Sequence, residues 1–326
     1  MKIEKHTKTH SLRSWKQKFY DYTGERLNWF YLILRLQGSV IPTILPWIFF
    51  FSVYSFAIAL LYYEKIHITL PKIDGITNVV LSFNLVLSLL LIFRTNTAYE
   101  RFWEGRKLWG AMIANARHMI RDSYVLNDAE RTVLMYRVML FSHLLRDRLR
   151  QQSHTYDHYQ AKVQLTVEQW EVLATHINPP QYLLELTQKD LAALYKRGEI
   201  SDIIYSMLTK HTVAMGDIHA GCDRISSTPL PFSYSVLLHR AVYSFCLILP
   251  FSLSSSLGFW SPVIVALIAY LLLGLDALSA ELEEPFGLQE NDLPLDAIVR
   301  GIEREMLSSL NESLPEPVSA HRANLS

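Results

Sequence analysis

The strongest constraint on the fold of this chain is a run of uncharged residues that matches the thickness of a bilayer. Positions 75–93 contain no Asp, Glu, Lys or Arg, and the run ends abruptly at Arg94. About nineteen helical residues at 1.5 Å each just cross a hydrocarbon core of roughly 30 Å. The run therefore predicts a membrane-spanning helix, and Glu100 and Arg101 mark its water-exposed end.

Two further apolar regions predict the other spans. Positions 39–63 carry no charge, and positions 225–275 carry Arg240 as their one obligatory charge. Roughly fifty residues are too many for one span and enough for two, which we place at 234–253 and 260–275 with a tight turn between them. The chain is thus predicted to be an all-α integral membrane protein with four spanning helices that extend into a cytosolic helical bundle.

Charge predicts the orientation. The segment 1–36 is basic with interleaved aromatic residues, which is typical of an amphipathic segment at a membrane surface. By the positive-inside rule it lies in the cytoplasm, and four spans return the C-terminus to the same side of the plasma membrane. After this segment we expect spanning helices 1 and 2 at 37–103, a cytosolic helical domain at 104–224, spanning helices 3 and 4 at 225–280, and a cytosolic acidic segment and tail at 281–326.

Composition argues against several classes of protein. The 31 basic residues balance 31 acidic ones, so there is no electrostatic sign of a nucleic-acid partner. Two cysteines are too few for a disulfide framework or a zinc site. The motifs GxSxG and HExxH and the Walker motif are absent. We therefore expect neither an enzyme nor a cofactor.

One face of the second predicted span has an unusual polarity. At about 100° per residue, six residues fall within one stripe that is polar at both ends and bulky and apolar in the middle. They are Asn78, Ser82, Leu85, Leu89, Phe93 and Asn96. Such a stripe suits a water-filled path with a hydrophobic constriction. Periodicity alone, however, favours the alternative that these residues pack against neighbouring helices.

Two groups of residues are candidates for a metal site. The first consists of His211, Met215, Asp217 and His219. Its two histidines are eight positions apart, so they lie two turns apart and cannot share an ion without a third element. The second is an acidic run of Glu281, Glu283, Glu284, Glu290, Asp292 and Asp296. It lacks the spacing of a calcium loop, so we favour helix capping and inter-subunit salt bridges, expect no metal, and retain Asp292 as the one calcium candidate.

Three further stretches carry a distinctive pattern of residues, namely FRTNTAYERFWEGRKLWG at 93–110, GCDRISSTPLPFSY at 221–234 and ELEEPFGLQENDLPLDAI at 281–298. They resemble the signature regions of the bestrophin family, and those of its bacterial branch most of all. The resemblance implies a homopentameric ion channel in which the second spanning helix of each subunit lines a central pore. It implies that Leu85, Leu89 and Phe93 form the apolar neck of that pore. A second, cytosolic constriction is implied on or beside Ile204.

The resemblance leaves the ion open. Animal and plant bestrophins conduct anions, chiefly chloride, whereas some bacterial members conduct sodium and other monovalent cations. In the calcium-binding stretch, the aspartates of animal members are replaced by Leu288, Gln289, Glu290 and Asn291 before Asp292, so no calcium gating is expected. The leading expectation is a passive channel for small monovalent ions, with a sodium-type cation channel and a non-conducting membrane scaffold or sensor as alternatives.

Overall fold

The computed structural model describes residues 38–63 and 76–318, and within these ranges the chain forms helices and loops without a β-strand. The all-α prediction is confirmed there. The predicted N-terminal surface segment, the loop between the first two spans and the end of the tail lie outside the described residues. The helices are α1 (Ile41–Tyr63), α2 (Ile76–Asp122), α3 (Asp128–Arg150), α4 (Asp157–Val163), α5 (Val167–Thr175), α6 (Pro179–Lys196), α7 (Asp202–Ser227), α8 (Phe232–Leu257), α9 (Ser261–Glu283) and α10 (Leu295–Ser309).

Three segments of the described chain are long and apolar enough to cross a membrane, namely Ile41–Tyr63, Asn78–Val125 and Phe232–Glu283. The third contains both α8 and α9, which are joined by a 3-10 turn at Gly258–Trp260. Each of these two helices has more than the roughly twenty residues that a bilayer crossing needs. The expected turn is therefore present, and the count of four spans stays a prediction.

Helices α1, α2, α8 and α9 share one apolar core. It contains residues such as Phe51 from α1, Leu87 and Leu91 from α2, Phe245 from α8 and Val265 from α9. Serine hydroxyls add polar links, because Ser261 Oγ lies 3.4 Å from Ser55 Oγ and 3.1 Å from Ser254 Oγ. Small hydroxyl residues let apolar helices approach closely and hydrogen-bond across their interface.

A second and larger core lies in the polar part of the chain. It joins the C-terminal half of α2 to helices α3–α7 and α10. Local capping explains where several of these helices begin. The side chain of Asn127 accepts a hydrogen bond from the N–H of Glu130 at the start of α3, and Thr166 and Gln169 form a capping box at α5. Helix α6 begins after Asn178, whose side chain caps a helix that opens with proline.

Helix α2 connects the two cores. Its 47 residues correspond to a rod of about 70 Å. Leu87 and Leu91 belong to the core of the apolar helices, while Trp109, Met112 and Met119 belong to the second core, in the polar part of the chain. The helix therefore continues without interruption from the apolar part of the subunit into the polar part, as the sequence predicted.

Candidate functional site

The six stripe residues all lie on α2 and are all exposed on the surface of the single subunit. The three predicted neck residues are strongly exposed despite being apolar: Leu85 is 72 %, Leu89 51 % and Phe93 56 % exposed. With about 100° per residue, the six directions fall within an arc of about 80°. The structure thus brings the predicted residues together on one open face. Their role in a pore stays a prediction.

The opposite side of α2 is packed along its length. Its buried apolar residues lie about 120–180° around the helix from Leu89. They are Val80, Leu87, Leu91, Ala98, Trp109, Met112, Ala116 and Met119. The helix is therefore strongly sided, and the side that carries the six stripe residues is exposed. We call this surface the open face.

The open face extends well beyond the neck. It continues through Asn96, Glu100, Trp103, Lys107, Ala111, Ala114, His118 and Arg121, which are all exposed. The face runs from Asn78, the first stripe residue, to Arg121. These residues are 43 positions apart, which corresponds to about 65 Å of helix. The open face is therefore polar, then apolar over the neck, and then charged.

A buried ion pair sits directly beside the neck. Arg94, which is 5 % exposed, donates from Nη1 to Oδ1 of Asp276 on α9. The other carboxylate oxygen of Asp276 lies 2.9 Å from Nδ1 of His239 on α8. This cluster joins α2, α8 and α9 at one level, immediately after Phe93 in the chain. Sequence reasoning missed it, because the fourth span was ended one residue early, at position 275.

A second arginine fixes α2 further along. The guanidinium of Arg101 donates to the carbonyl oxygens of Ile225 and Glu283, at 2.6 and 3.3 Å, and also to that of Thr228. These carbonyls lie at the C-terminal ends of α7 and α9, where the helix dipole favours a positive charge. In return, the Glu283 carboxylate accepts a hydrogen bond from the N–H of Leu230 at 2.8 Å. Arg101 therefore ties α2 to the connection between α7 and α8.

The predicted cytosolic constriction falls on the first turn of α7. Ile204 is partly buried and packs against the second hydrophobic core, which lies in the polar part of the chain. Its neighbour Ile203 is 76 % exposed. The resemblance placed the constriction on or beside Ile204, and the exposed apolar side chain in the first turn of α7 is Ile203.

The acidic run begins in the last turn of α9 and continues into a turn, where Asp292 and Glu281 have separate partners. Asp292 Oδ2 accepts a hydrogen bond from the N–H of Gln289 at 2.7 Å, and Glu281 Oε2 accepts one from Asn291 at 2.8 Å. Burial raises the pKa of Asp292 to about 6. A Cβ at Gly287 would lie 2.5 Å from Asp292 Oδ2, so this close approach depends on glycine.

Asp296, the last carboxylate of the run, is bound by two arginines of α3. It accepts hydrogen bonds from Arg146 at 2.7 Å and from Arg150 at 2.5 Å on α3. These arginines hold the pKa of Asp296 below its usual range, against the effect of burial. Asp296 therefore has basic partners within its own subunit, and the inter-subunit salt bridges stay a prediction. In the part of the chain that the structure describes, no three His, Cys, Asp or Glu side chains are grouped as a metal site.

The two histidines considered as metal ligands are also engaged inside the fold. His211 lies with Nδ1 2.8 Å from Asn115 Oδ1 and Nε2 2.8 Å from Asp122 Oδ2, so it joins α7 to α2. His219 Nε2 lies 3.3 Å from Asp223 Oδ2 on the next turn of α7. Burial lowers the pKa of His219. His211 therefore has protein partners that account for its position, whereas His219 Nε2 is buried without a hydrogen bond among the described residues.

Comparison with known proteins identifies the family. Residues 21–308 match the family model described as Bacterial/Fungal Bestrophin protein. The chain belongs to the bestrophin family. A relative from Mesorhizobium japonicum, named voltage-dependent anion channel-forming protein mll4386, is 38% identical over 91% of this chain and 94% of its own length. Its Escherichia coli K12 counterpart, the voltage-dependent anion channel-forming protein YneE, is 34% identical over 88% of this chain and 93% of that relative.

Solved bestrophin structures agree with the fold. A bacterial bestrophin homologue from Klebsiella pneumoniae superposes with a TM-score of 0.73 at 30% identity, over 83% of this chain and 99% of that one. A single-substitution variant of the same homologue superposes with a TM-score of 0.74 at 27% identity, over 83% of this chain and 100% of that one. Together with its long apolar helices, this membership makes the chain a membrane protein of the bestrophin type.

Proposed function

We propose that this bestrophin forms a passive channel for small anions, built from five copies of the chain with α2 of each copy facing a central axis. The observation that carries the proposal is the open face of α2, which is exposed over its full length on a helix whose other side is tightly packed. Two relatives are named anion channel-forming proteins, and the proposal takes the class of ion from these names. The number five comes from the family resemblance.

The polarity of the open face explains why a ring is favourable. In a lone subunit within a bilayer, Asn78 and Ser82 would face lipid, and an unpaired polar group in an apolar medium costs on the order of 1–3 kcal/mol. Closing a ring turns these side chains toward water. The same closure makes Leu85, Leu89 and Phe93 three apolar collars, with successive side chains about 6 Å apart along the axis.

The collars supply the barrier. An ion that crosses an apolar collar sheds water that the wall cannot replace, so the neck sets the resistance of the path. In this arrangement α1, α2, α8 and α9 cross the plasma membrane as four spans, both termini lie in the cytoplasm, and helices α3–α7 with α10 surround a cytosolic vestibule. The exposed Ile203, beside Ile204, is the side chain best placed to narrow that vestibule.

A monovalent cation channel is the second candidate. The observation in its favour is Glu100, an exposed carboxylate on the open face two turns beyond Phe93. Five such carboxylates around an axis would attract cations to the mouth of the neck. A non-conducting scaffold or sensor has no comparable support, because such a role does not explain why apolar residues lie between polar ones on the exposed stripe.

Purified protein in planar bilayers tests the proposal. We expect a closed oligomer of five copies by light scattering and currents that reverse near the chloride equilibrium potential under a NaCl gradient. A reversal potential on the sodium side would replace the anion channel by the cation channel. A monodisperse monomer, or a pentamer without current, would contradict the channel itself.

A further inference from the structure

Beyond the neck, the open face of α2 carries charges in a fixed order. Glu100 comes first, Lys107 follows two turns later, and Arg121 lies near the end of the helix, and all three are exposed. Arg121 Nη2 lies 2.6 Å from Nδ1 of His118 on the same face. Glu100 and Lys107 have no ion pair or side-chain hydrogen bond within the described ranges. These two charges are therefore free to act on whatever occupies the space in front of α2.

Four other charges of α2 differ in this respect, whereas Arg106, which lies off the open face, is also without an ion pair in the described part of the chain. Arg94 pairs with Asp276, Arg101 binds main-chain carbonyls, and Glu104 pairs with Arg224. Arg117 forms a bidentate pair with Glu305 at 2.8 and 2.6 Å. All four lie about 60–140° around the helix from Leu89. Charge off the open face is thus mostly neutralised inside the subunit, whereas the charge of Glu100 and Lys107 is left unpaired on it.

The spacing makes each charge a separate site. Phe93, Glu100 and Lys107 are seven residues apart, so each step along the axis is about 10 Å. Glu100 and Lys107 also point within about 20° of the direction of Leu89. The Debye length is about 8 Å at physiological ionic strength. An ion beside Lys107 therefore responds mainly to Lys107, and an ion at the mouth of the neck responds first to Glu100.

We propose that Glu100 and Lys107 form two successive charged rings that determine which sign of ion this channel passes. This inference rests on the proposed ring of α2 helices. Lys107 concentrates anions in the vestibule, and Glu100 opposes their entry into the neck while favouring cations. The apolar neck itself has no charge preference, so the permeability ratio is the balance of these two opposed rings.

The test is the chloride-to-sodium permeability ratio, obtained from reversal potentials of pentamers in planar bilayers under a NaCl gradient. Lys107→Gln is expected to lower the ratio, and Glu100→Gln to raise it, each on the order of threefold to tenfold, since ring charges create local potentials of one to several kT. The matched control is Arg106→Gln. Arg106 is exposed and has the same charge, but it lies about 100° around the helix from Lys107. The chloride-to-sodium permeability ratio of Arg106→Gln is expected to stay within about twofold of the wild-type ratio.

A cysteine variant keeps the test decisive if the glutamine variants do not assemble. Both native cysteines, Cys222 and Cys246, are 0 % exposed and leave a low background for thiol reagents. In Lys107→Cys, a cationic thiosulfonate reagent is expected to restore the wild-type ratio, and an anionic reagent to lower it further.

The outcomes separate the two proposals. If Lys107→Gln and Glu100→Gln shift the ratio no more than Arg106→Gln, or shift it in the same direction, the charged rings are refuted while the channel stands. The same holds if both reagents on Lys107→Cys leave the ratio unmoved. If well-assembled wild-type protein passes no current, the proposed function fails and this inference fails with it.

Discussion

Replacing Asp276 by asparagine should destabilise the subunit more than most single substitutions in its apolar part. Asp276 and Arg94 have side chains that are 9 % and 6 % exposed. Arg94 Nε is already buried without a hydrogen-bond partner in the described part of the chain. The Asp276 carboxylate is therefore the main source of compensation for this buried guanidinium, and its loss leaves the positive charge of Arg94 unbalanced.

The size of the effect follows from the burial of both partners. Removing one member of a buried ion pair typically costs about 3–5 kcal/mol, because the remaining charge stays out of water. With about 2–4 °C of melting temperature per kcal/mol, the value typical of chains of 150–250 residues, the expected loss is roughly 6–20 °C. His239 is the smaller contributor, since its side chain is 57 % exposed. His239→Ala should cost less than about 1 kcal/mol.

Thermal unfolding in detergent, followed by intrinsic fluorescence, measures these differences, and size-exclusion chromatography reports assembly. The decisive comparison is the double variant Arg94→Met with Asp276→Leu, which removes both charges together. Replacing a buried pair by apolar residues of similar volume is often close to neutral. The double variant should therefore recover most of the stability that either single variant loses.

The reasoning is refuted if Asp276→Asn and Arg94→Met each melt within a degree or two of wild type. It is equally refuted if their losses simply add in the double variant, since additivity would mean that the two side chains do not interact.

Three further predictions concern the neck and the acidic turn. Leu89→Ala and Phe93→Ala should each raise the current severalfold at equal protein amount, because a wider collar admits water, and the effect of Leu85→Ala should be similar or smaller. The control is Leu90→Ala, which lies about 100° further round the helix. If this control alone raised the current, α2 would be rotated in the assembly. Micromolar Ca²⁺ should leave the open probability in single-channel records unchanged, and an activation that Asp292→Ala abolishes would contradict this. Because the pKa of Asp292 is raised to about 6 from 3.8, the folded state binds the proton more tightly than the unfolded state. This carboxyl should therefore lower stability as the pH rises from about 4 to 6, and Asp292→Asn should reduce that slope in thermal unfolding measured across this range.

The apolar helices follow closely from the sequence, whereas their ends do not. The first span was predicted at 39–63, and α1 runs from Ile41 to Tyr63. A bilayer crossing must be both apolar and internally hydrogen-bonded, so hydropathy locates it well. Hydropathy marks where the solvent changes, however, and a helix need not stop there. The fourth span was ended at 275, but α9 continues to Glu283, and that is why Asp276 was overlooked.

For the stripe on α2, the sequence predicts the helix but does not show which of its apolar sides is packed. Leu85 and Leu89 have the same chemistry as Leu87 and Leu91, and both pairs recur at helical spacing. Periodicity shows that a helix has two apolar sides but not which side is packed. In the structure Leu87 and Leu91 are 1 % and 0 % exposed, and the other two leucines are open. Only contacts from distant segments of the chain, such as Val265 on α9, make that distinction.

The long-range ion pairs were out of reach for the same reason. Arg94 and Asp276 are separated by 182 positions, and Arg146 and Asp296 by 150. Nothing in the local pattern pairs them. The sequence did indicate that the carboxylates after α9 needed basic partners, but it assigned the salt bridges to other subunits, whereas α3 of the same subunit supplies them to Asp296.

The two arginines that follow the neck bear on how such a channel could open. Arg94 and Arg101 both point to the packed side of α2, about 100–140° from the direction of Leu89, and each is bound to other helices of the same subunit. A rotation of α2 large enough to move Leu89 off the axis would pull both guanidiniums from their partners. For the buried Arg94 alone, that loss is of the order of 3–5 kcal/mol per subunit, and in a ring it would recur in every copy. In the proposed channel, the bonds of Arg94 and Arg101 therefore oppose opening by rotation of α2, and the predicted neck widens more easily through movement of the side chains of Leu85, Leu89 and Phe93 on a fixed helix.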